Sequence, residues 1–316
     1  MIDPLTEMLR GLRLDGVEYG RCQPSSPWAT AYSAQAEARF HFLAAGSAYL
    51  QSPSGEWTEM HPGDGVLLPR GGAHTLASEP GLVPTPVECI ARTSLCDGIV
   101  DLEGGSRDSD TLFFYAVLRF NVDGGHPLLE MMPDVMRARD LAVVEPTILL
   151  LLDAMMREVD MNRVGAGGIV SRLADVLTAT IIRTWVERGC GDATGWLAAV
   201  RNPDLGRVLA AIHLDPSRDW SVGELARYMG ASRSAFAERF AATVGETPAR
   251  YVARMRMHQA HQWLREGQRI AGIAERLGYE SEASFSRAFK RIMGASPSRF
   301  RDHANISAGS AAMRRA

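Results

Sequence analysis

Lysine is almost missing from this chain: Lys290 is the one example among 34 basic residues, and the rest are arginine. The imbalance carries no functional message of its own. Cysteine is scarce too. Cys22, Cys89, Cys96 and Cys190 are scattered, with no Cys-x-x-Cys pair. That argues against a disulfide framework and points to a reducing compartment. No run of about 18 apolar residues occurs. The nearest approach, Ile148–Leu152, is flanked by Glu145 and Asp153, so no membrane-spanning helix is expected. Nor is there a basic opening followed by an apolar stretch. No secretory signal is therefore expected, and the cytoplasm is the expected location.

What is present fits a soluble globular protein, with 46% hydrophobic and 22% charged residues over 316 positions. That length exceeds one ordinary core and makes more than one domain the expectation. A net charge of −3 argues by itself against a nucleic-acid binder. Its distribution reverses the argument. Residues 203–303 carry 16 Arg and Lys against 11 Asp and Glu, a net +5, which leaves −8 on the remainder. A basic C-terminal module behind an acidic one fits a DNA reader joined to something else.

Texture changes along the chain. Residues 1–14 read as a short amphipathic helix. From Val17 to about Phe120, short apolar runs (Arg39–Leu43, Ala48–Gln51, Gly65–Leu68, Leu112–Phe120) alternate with Gly and Pro, as in an antiparallel sandwich or barrel. Residues 78–110 read as a long mobile loop. After Gly125 the period becomes helical. Leu128, Leu129, Met132, Val135 and Met136 share one face. Ile148, Leu151, Leu152, Met155 and Met156 share another, and Val170, Leu173, Val176, Leu177 and Ile181 a third. Residues 190–202 read as a linker.

The last third repeats itself. Phe236, Phe240, Gly245, Pro248, Arg250 and Tyr251 recur 49 positions later as Phe285, Phe289, Gly294, Pro297, Arg299 and Phe300. Ser232 and Ser281 keep the same offset as N-caps, and each unit begins with a short helix closed by Gly230 or Gly278. Ser221-Val222-Gly223-Glu224 is a capping box preceded by Trp220. Each unit therefore reads as a helix-turn-helix. With Phe236 and Phe240 inward, Arg233, Ser234, Ala237, Glu238 and Ala241 face outward. With Phe285 and Phe289 inward, Glu282, Ala283, Ser286, Arg287 and Lys290 are exposed. Small and charged side chains suit a groove about 12 Å wide. Arg287 is the candidate for a bidentate contact to guanine, and Glu282 for accepting from cytosine N4. Arg291, Arg299 and Arg301 are placed for phosphates. Pro248 to about Glu266 reads as a rod, bearing Arg250, Arg254, Arg256 and Arg265, that holds the reading helices about 34 Å apart.

These residues carry a resemblance. Ile273-Ala274-x-x-Leu277-Gly278-Tyr279-x-Ser281-x-x-Ser284-Phe285-x-Arg287-x-Phe289-Lys290, followed by Gly294-x-Ser296-Pro297-x-x-Phe300-Arg301, resembles the DNA-binding region of the AraC/XylS family of bacterial transcription regulators, over residues 203–302. The resemblance implies asymmetric promoter sites read in adjacent major grooves. It puts the base-contacting positions on Ser234, Ala237, Glu238, Glu282, Ala283, Ser286 and Arg287. Alanine at two of these fits a thymine methyl.

Upstream, Gly63-x5-Pro69-x-Gly71-x2-His74 resembles one of the two motifs of the cupin family; of the other, Phe40-His41-Phe42-Leu43-x-x-Gly46 remains. Arg39, His41 and Leu43 alternate onto one strand face, so His41 and His74 can both point into the barrel. Zinc takes three or four protein ligands, and Cys22 on an early strand is the candidate third. The order Cys22, His41, His74 resembles cupin-bearing AraC-type regulators that respond to reactive chlorine or electrophiles. Such relatives carry a further cysteine on the strand expected at Leu112–Phe120, where Tyr115 stands here. Cys89 and Cys96 lie in the neighbouring loop. A divalent metal such as zinc, redox sensing through Cys22, an organic-effector pocket and a purely structural barrel all stay open.

The expectation is an α+β chain. A cupin-like antiparallel β-barrel spans 1–125, a helical connector and dimerisation region 126–200, an all-α double helix-turn-helix 201–304, and a disordered tail 305–316. It is a DNA-binding transcription regulator, an activator by family habit, and not an enzyme. Its expected partners are double-stranded promoter DNA and a second copy of the chain, with RNA polymerase as a further candidate. The rivals are a cupin metalloenzyme with an accessory helical domain and a nonspecific DNA-coating protein.

Overall fold

The computed structural model describes residues 14–96, 99–102, 110–120, 127–160, 165–188 and 195–300. The helix expected over 1–14 lies outside these but for Leu14. So do Arg301, the tail, residues 190–194 of the expected linker and most of 103–110. The described residues form two compact units, one of 14–120 with 131–188, the other of 127–130 with 195–300.

The first unit is built of two sheets. Its strands are β1 (Leu14–Cys22), β2 (Ala29–Tyr32), β3 (Ala38–Ala45), β4 (Ala48–Gln51), β5 (Trp57–Met60), β6 (Gly65–Leu68), β7 (His74–Ala77), β8 (Thr85–Pro86), β9 (Arg92–Cys96), β10 (Ile99–Leu102), β11 (Leu112–Phe120) and β12 (Met136–Arg137). Seven lie in the order β12-β6-β3-β11-β1-β10-β9 and five in the order β5-β4-β7-β2-β8. Between them a core of Leu43, Leu50, Met60, Val66, Leu76, Leu102 and Phe113 draws on both sheets.

Burial on β3 is nearly continuous rather than alternating. Leu43 faces the inter-sheet core, and the intervening Phe40 and Phe42 are buried as well. Helices cover this second face. After α1 (Pro127–Met131) come α2 (Ala138–Ala142), α3 (Thr147–Asp160) and α4 (Ala166–Arg188). Met155, Val170 and Ala174 meet Phe40, Phe114 and Ala116 around a small cavity, and Tyr19 Oη donates to Asp175 at 3.0 Å. An apolar sheet face needs such a cover.

Four expectations change here. The stretch 126–200 is shared out: residues 131–188 group with the sheets, and those from 195 with the helices that follow. The helical face expected from Leu128 to Met136 is cut short, because α1 ends at Met131 and Met136 pairs with Leu67 as a strand. Pro133 has no N–H to continue a helix and disfavours helical backbone at Met132. Residues 78–110 are not one loop: β10 runs parallel to β1 and pairs with β9. On α4, Val176 is exposed while Ala174 and Leu177 are buried.

The second unit is helical: α5 (Trp196–Arg201), α6 (Pro203–Leu214), α7 (Val222–Met229), α8 (Arg233–Val244), α9 (Pro248–Arg265), α10 (Ile270–Arg276) and α11 (Glu282–Met293). Its first half centres on fully buried Tyr251. Tyr251 Oη accepts from Trp196 Nε1 at 2.6 Å and lies 2.7 Å from His213 Nε2, tying α9 to α5 and α6. The second half packs Trp263, Leu264, Ile273, Leu277, Phe285 and Phe289 together. The rod α9 starts at Pro248, where a missing N–H costs nothing, and is capped by Thr247. Its 18 residues make it about 27 Å long.

Candidate nucleic-acid interface and buried polar cluster

The repeat in the sequence is a repeat in geometry. Gly230 and Gly278 both close their helices at φ 69°, a left-handed conformation that side chains disfavour. Past each glycine the chain folds back in the same way. Ala231 N–H donates to Ala226 O at 3.0 Å, and Tyr279 N–H to Ala274 O at 2.9 Å. Ser232 Oγ then accepts from Ala235 N–H at 3.3 Å, and Ser281 Oγ from Ser284 N–H at 3.1 Å. Ser284 Oγ accepts in return from Ser281 N–H at 3.2 Å, so a serine does what glutamate does at Ser221-x-x-Glu224. There, hydrogen bonds from the Ser221 backbone and side chain and from Arg218 hold the Glu224 carboxyl down to about 2.

Phe236, Phe240, Phe285 and Phe289 are fully buried and fix which face of α8 and α11 is left outside. Arg233, Ser234 and Glu238 are exposed and Ala237 half-buried. On α11, Glu282, Ala283, Arg287, Lys290 and Arg291 are exposed and Ser286 half-buried. Among the described residues no ion pair involves Arg233, Arg287, Lys290 or Arg291. The arginines of the rod behave differently. Arg254 pairs with Glu246 at 2.6 Å, and Arg256 donates to the Leu277 carbonyl that ends α10. These two brace the fold, whereas Arg265 and Arg299 are exposed.

Inside the sandwich, His41 on β3 and His74 on β7 meet with their Nε2 atoms 2.8 Å apart. His74 Nδ1 lies 2.7 Å from the Gly72 carbonyl. That carbonyl can only accept, so the His74 proton sits on Nδ1 and its Nε2 is an acceptor. His41 must then donate through Nε2, which leaves its Nδ1 a buried acceptor without a partner. The ring of Tyr32 stacks on His74 at 4.7 Å, and the Arg39 guanidinium lies 4.9 Å from the Tyr32 centroid. Sequence reasoning did not single out Tyr32; its place beside β7, with Tyr32 opposite His74, is a long-range pairing.

Burial pushes His74 down to about 4, with Arg39 adding to the effect. Burial, then His74 and Arg39, hold His41 well below the usual imidazole range. Both rings are neutral at pH 7. Burial, helped by Asp101, pushes the Cys22 thiol up to about 12, so it stays protonated. A protonated thiol is a poor nucleophile. Among the described residues no three His, Cys, Asp or Glu side chains come together around a point that could hold a metal. The pair His41 and His74 falls short of the three ligands zinc needs, and Cys22 does not join them. Tyr115 stands between Gly20 and His41 in the sheet register and donates to Glu18 at 2.8 Å.

The chain matches the cupin family over residues 3–187 and the helix-turn-helix domain over residues 225–303. An AraC-like transcription regulator from Streptomyces lividans is 30% identical over 305 residues, covering 96% of this chain and 99% of that one. The HTH-type transcriptional regulator AlkR from Acinetobacter baylyi is 30% identical, covering 95% and 99%. The RCS-specific HTH-type transcriptional activator RclR from Escherichia coli is 27% identical, covering 95% and 98%.

Proposed function

Since the chain belongs to the AraC-like transcription regulators that carry a cupin domain ahead of a helix-turn-helix domain, we propose that it binds a promoter through α8 and α11 in two successive major grooves. In this reading Ser234, Ala237, Glu238, Glu282, Ala283, Ser286 and Arg287 face base edges. Arg233, Lys290 and Arg291 supply positive charge to the backbone. The observation that carries it is the pair of serine-capped helices whose exposed faces offer Arg233, Arg287, Lys290 and Arg291, cations in no ion pair among the described residues. The cupin unit senses an effector and shifts how the DNA modules of a homodimer are presented, and so whether they engage RNA polymerase. The chain acts in the cytoplasm as an activator, without catalysis of its own. Zinc is not part of the proposal, because among the described residues the polar cluster supplies two nitrogen ligands and no third. Cys22 as an oxidant sensor is not part of it either, since its side chain is buried in the inter-sheet core, away from a soluble oxidant.

The test is selection of duplexes from a random pool by the full-length protein, then competition against scrambled duplexes. Enrichment of one site with at least about a thousandfold preference supports the proposal. No enrichment refutes it.

A further inference from the structure

Arg233 opens α8 and is exposed, yet its guanidinium leans off its own helix. A Cβ built on Gly223, the second residue of α7, would lie 2.8 Å from Arg233 Nε, 2.9 Å from Nη2 and 3.1 Å from Cζ. The guanidinium therefore rests on bare backbone, in space that any other residue would fill. Glycine inside a helix is unfavourable relative to alanine, so its use at this position is explained by the room it leaves.

The repeat supplies an internal comparison. The first helices of the two units correspond at an offset of 48, from the N-caps Ser221 and Arg269 to the closing Gly230 and Gly278, so Ala271 stands where Gly223 does, and Glu282 heads the second reading helix where Arg233 heads the first. Gly272, one residue further along that helix, has no side chain resting on it: a Cβ there would meet nothing within 4 Å. The unit that lacks the arginine thus carries a side chain, Ala271, where the other has Gly223. In a helix-turn-helix the first helix crosses the DNA backbone while the second enters the groove. An arginine folded onto the first helix is carried by the element that faces phosphates.

We infer that Gly223 is a positioning residue: it seats Arg233 as a clamp on a DNA backbone phosphate, so that Arg233 does not read a base. The inference rests on the DNA-binding reading of this unit and adds an asymmetry between its halves, with a clamp at the entry of α8 and an acidic group, Glu282, at the entry of α11.

The experiment uses the full chain, a duplex that the wild type selects from a random pool, and a scrambled duplex of equal composition. Arg233→Ala should weaken both by the same factor and flatten the plot of log K against log salt by about 1. Gly223→Ala displaces only the end of a flexible side chain, so the melting temperature should not fall, yet affinity should drop on both duplexes. Combining the two should cost no more than Arg233→Ala alone, because both remove one contact. Gly272→Ala should bind like the wild type. Wild-type affinity in Gly223→Ala, or additive losses in the double variant, would overturn the seat. A changed base preference in Arg233→Ala would make Arg233 a reader and overturn the clamp. If the wild type itself prefers neither duplex, the sequence-specific function fails; the seat is still judged by the salt slope.

Discussion

Removing one oxygen from the centre of the helical unit gives a sharp test of its packing. Tyr251 is fully buried; its Oη accepts from Trp196 Nε1 at 2.6 Å and lies 2.7 Å from His213 Nε2. The indole N–H can only donate, so the phenolic hydrogen is left for His213. Tyr251→Phe deletes both bonds but keeps the ring against Phe240, at 5.5 Å. Each neutral hydrogen bond is worth about 1 kcal/mol net, and a buried donor stranded without an acceptor costs about 1–3 kcal/mol. Two bonds, with one stranded N–H, give an expected loss of about 2–4 kcal/mol. Urea unfolding of the full chain, read through the helical signal, measures it. A double-mutant cycle with Trp196→Phe should return a coupling of about 1 kcal/mol. DNA affinity well below the transition should be unchanged, because the ring that supports α8 remains. A loss under about 0.5 kcal/mol would refute the reasoning, and so would a large drop in affinity with stability intact.

The remaining predictions address both units. His74 is held at about 4 and His41 well below 6.5, so the unfolded chain takes up protons first as pH falls. Their contribution is complete above about pH 6.5 and is lost as pH drops toward 4. By pH 5, His74 alone gives up about 2 kcal/mol. An acid titration of stability in which His74→Gln runs parallel to the wild type would contradict this. With a thiol-specific reagent at neutral pH, exposed Cys89 should react in the folded protein while Cys22 reacts only on unfolding. Fast native labelling that Cys22→Ser abolishes would contradict the protonated, buried thiol. Gly230→Ala and Gly278→Ala each force a side chain into φ 69° and should cost about 1–2 kcal/mol, read in the same urea melts. A neutral result at either turn would show the backbone relaxing there.

Much of the helical unit was legible because its signals are local. Caps at Ser221, Ser232 and Ser281, stops at Gly230 and Gly278, and phenylalanines four apart lie within one or two turns of what they determine. The strands at Ala48–Gln51, Gly65–Leu68 and Leu112–Phe120 were legible for the same reason, since their ends carry Gly or Pro nearby. Long-range features were not. Periodicity gives the buried face of α3 and α4 but not what covers it, and here it is the outer face of the seven-stranded sheet. Arg92–Cys96 looks like loop because it is the edge strand of that sheet, where polar residues are tolerated, and Ile99–Leu102 beside it is only four residues long. In the polar cluster, the spacing of His41 and His74 implied that they could meet. Neither the partner ring of Tyr32 nor the want of a third ligand among the described residues could be read from spacing, because both depend on how two sheets face each other. Arg254 and Arg256 show in the sequence only as charges on the rod; that they act as braces is not legible there, since Glu246 and Leu277 reach them only in the folded unit.

The central claim is that two matched helices read two faces of one DNA site. Base-resolved footprinting of the full chain on its selected duplex tests it most directly, comparing the wild type with Arg287→Ala. The account predicts two protected blocks about one turn, or roughly 34 Å, apart. Arg287→Ala should relax base preference in one block, at a cost of about 1–3 kcal/mol, and leave the other intact. A single block, uniform protection, or an equal loss in both blocks would contradict it.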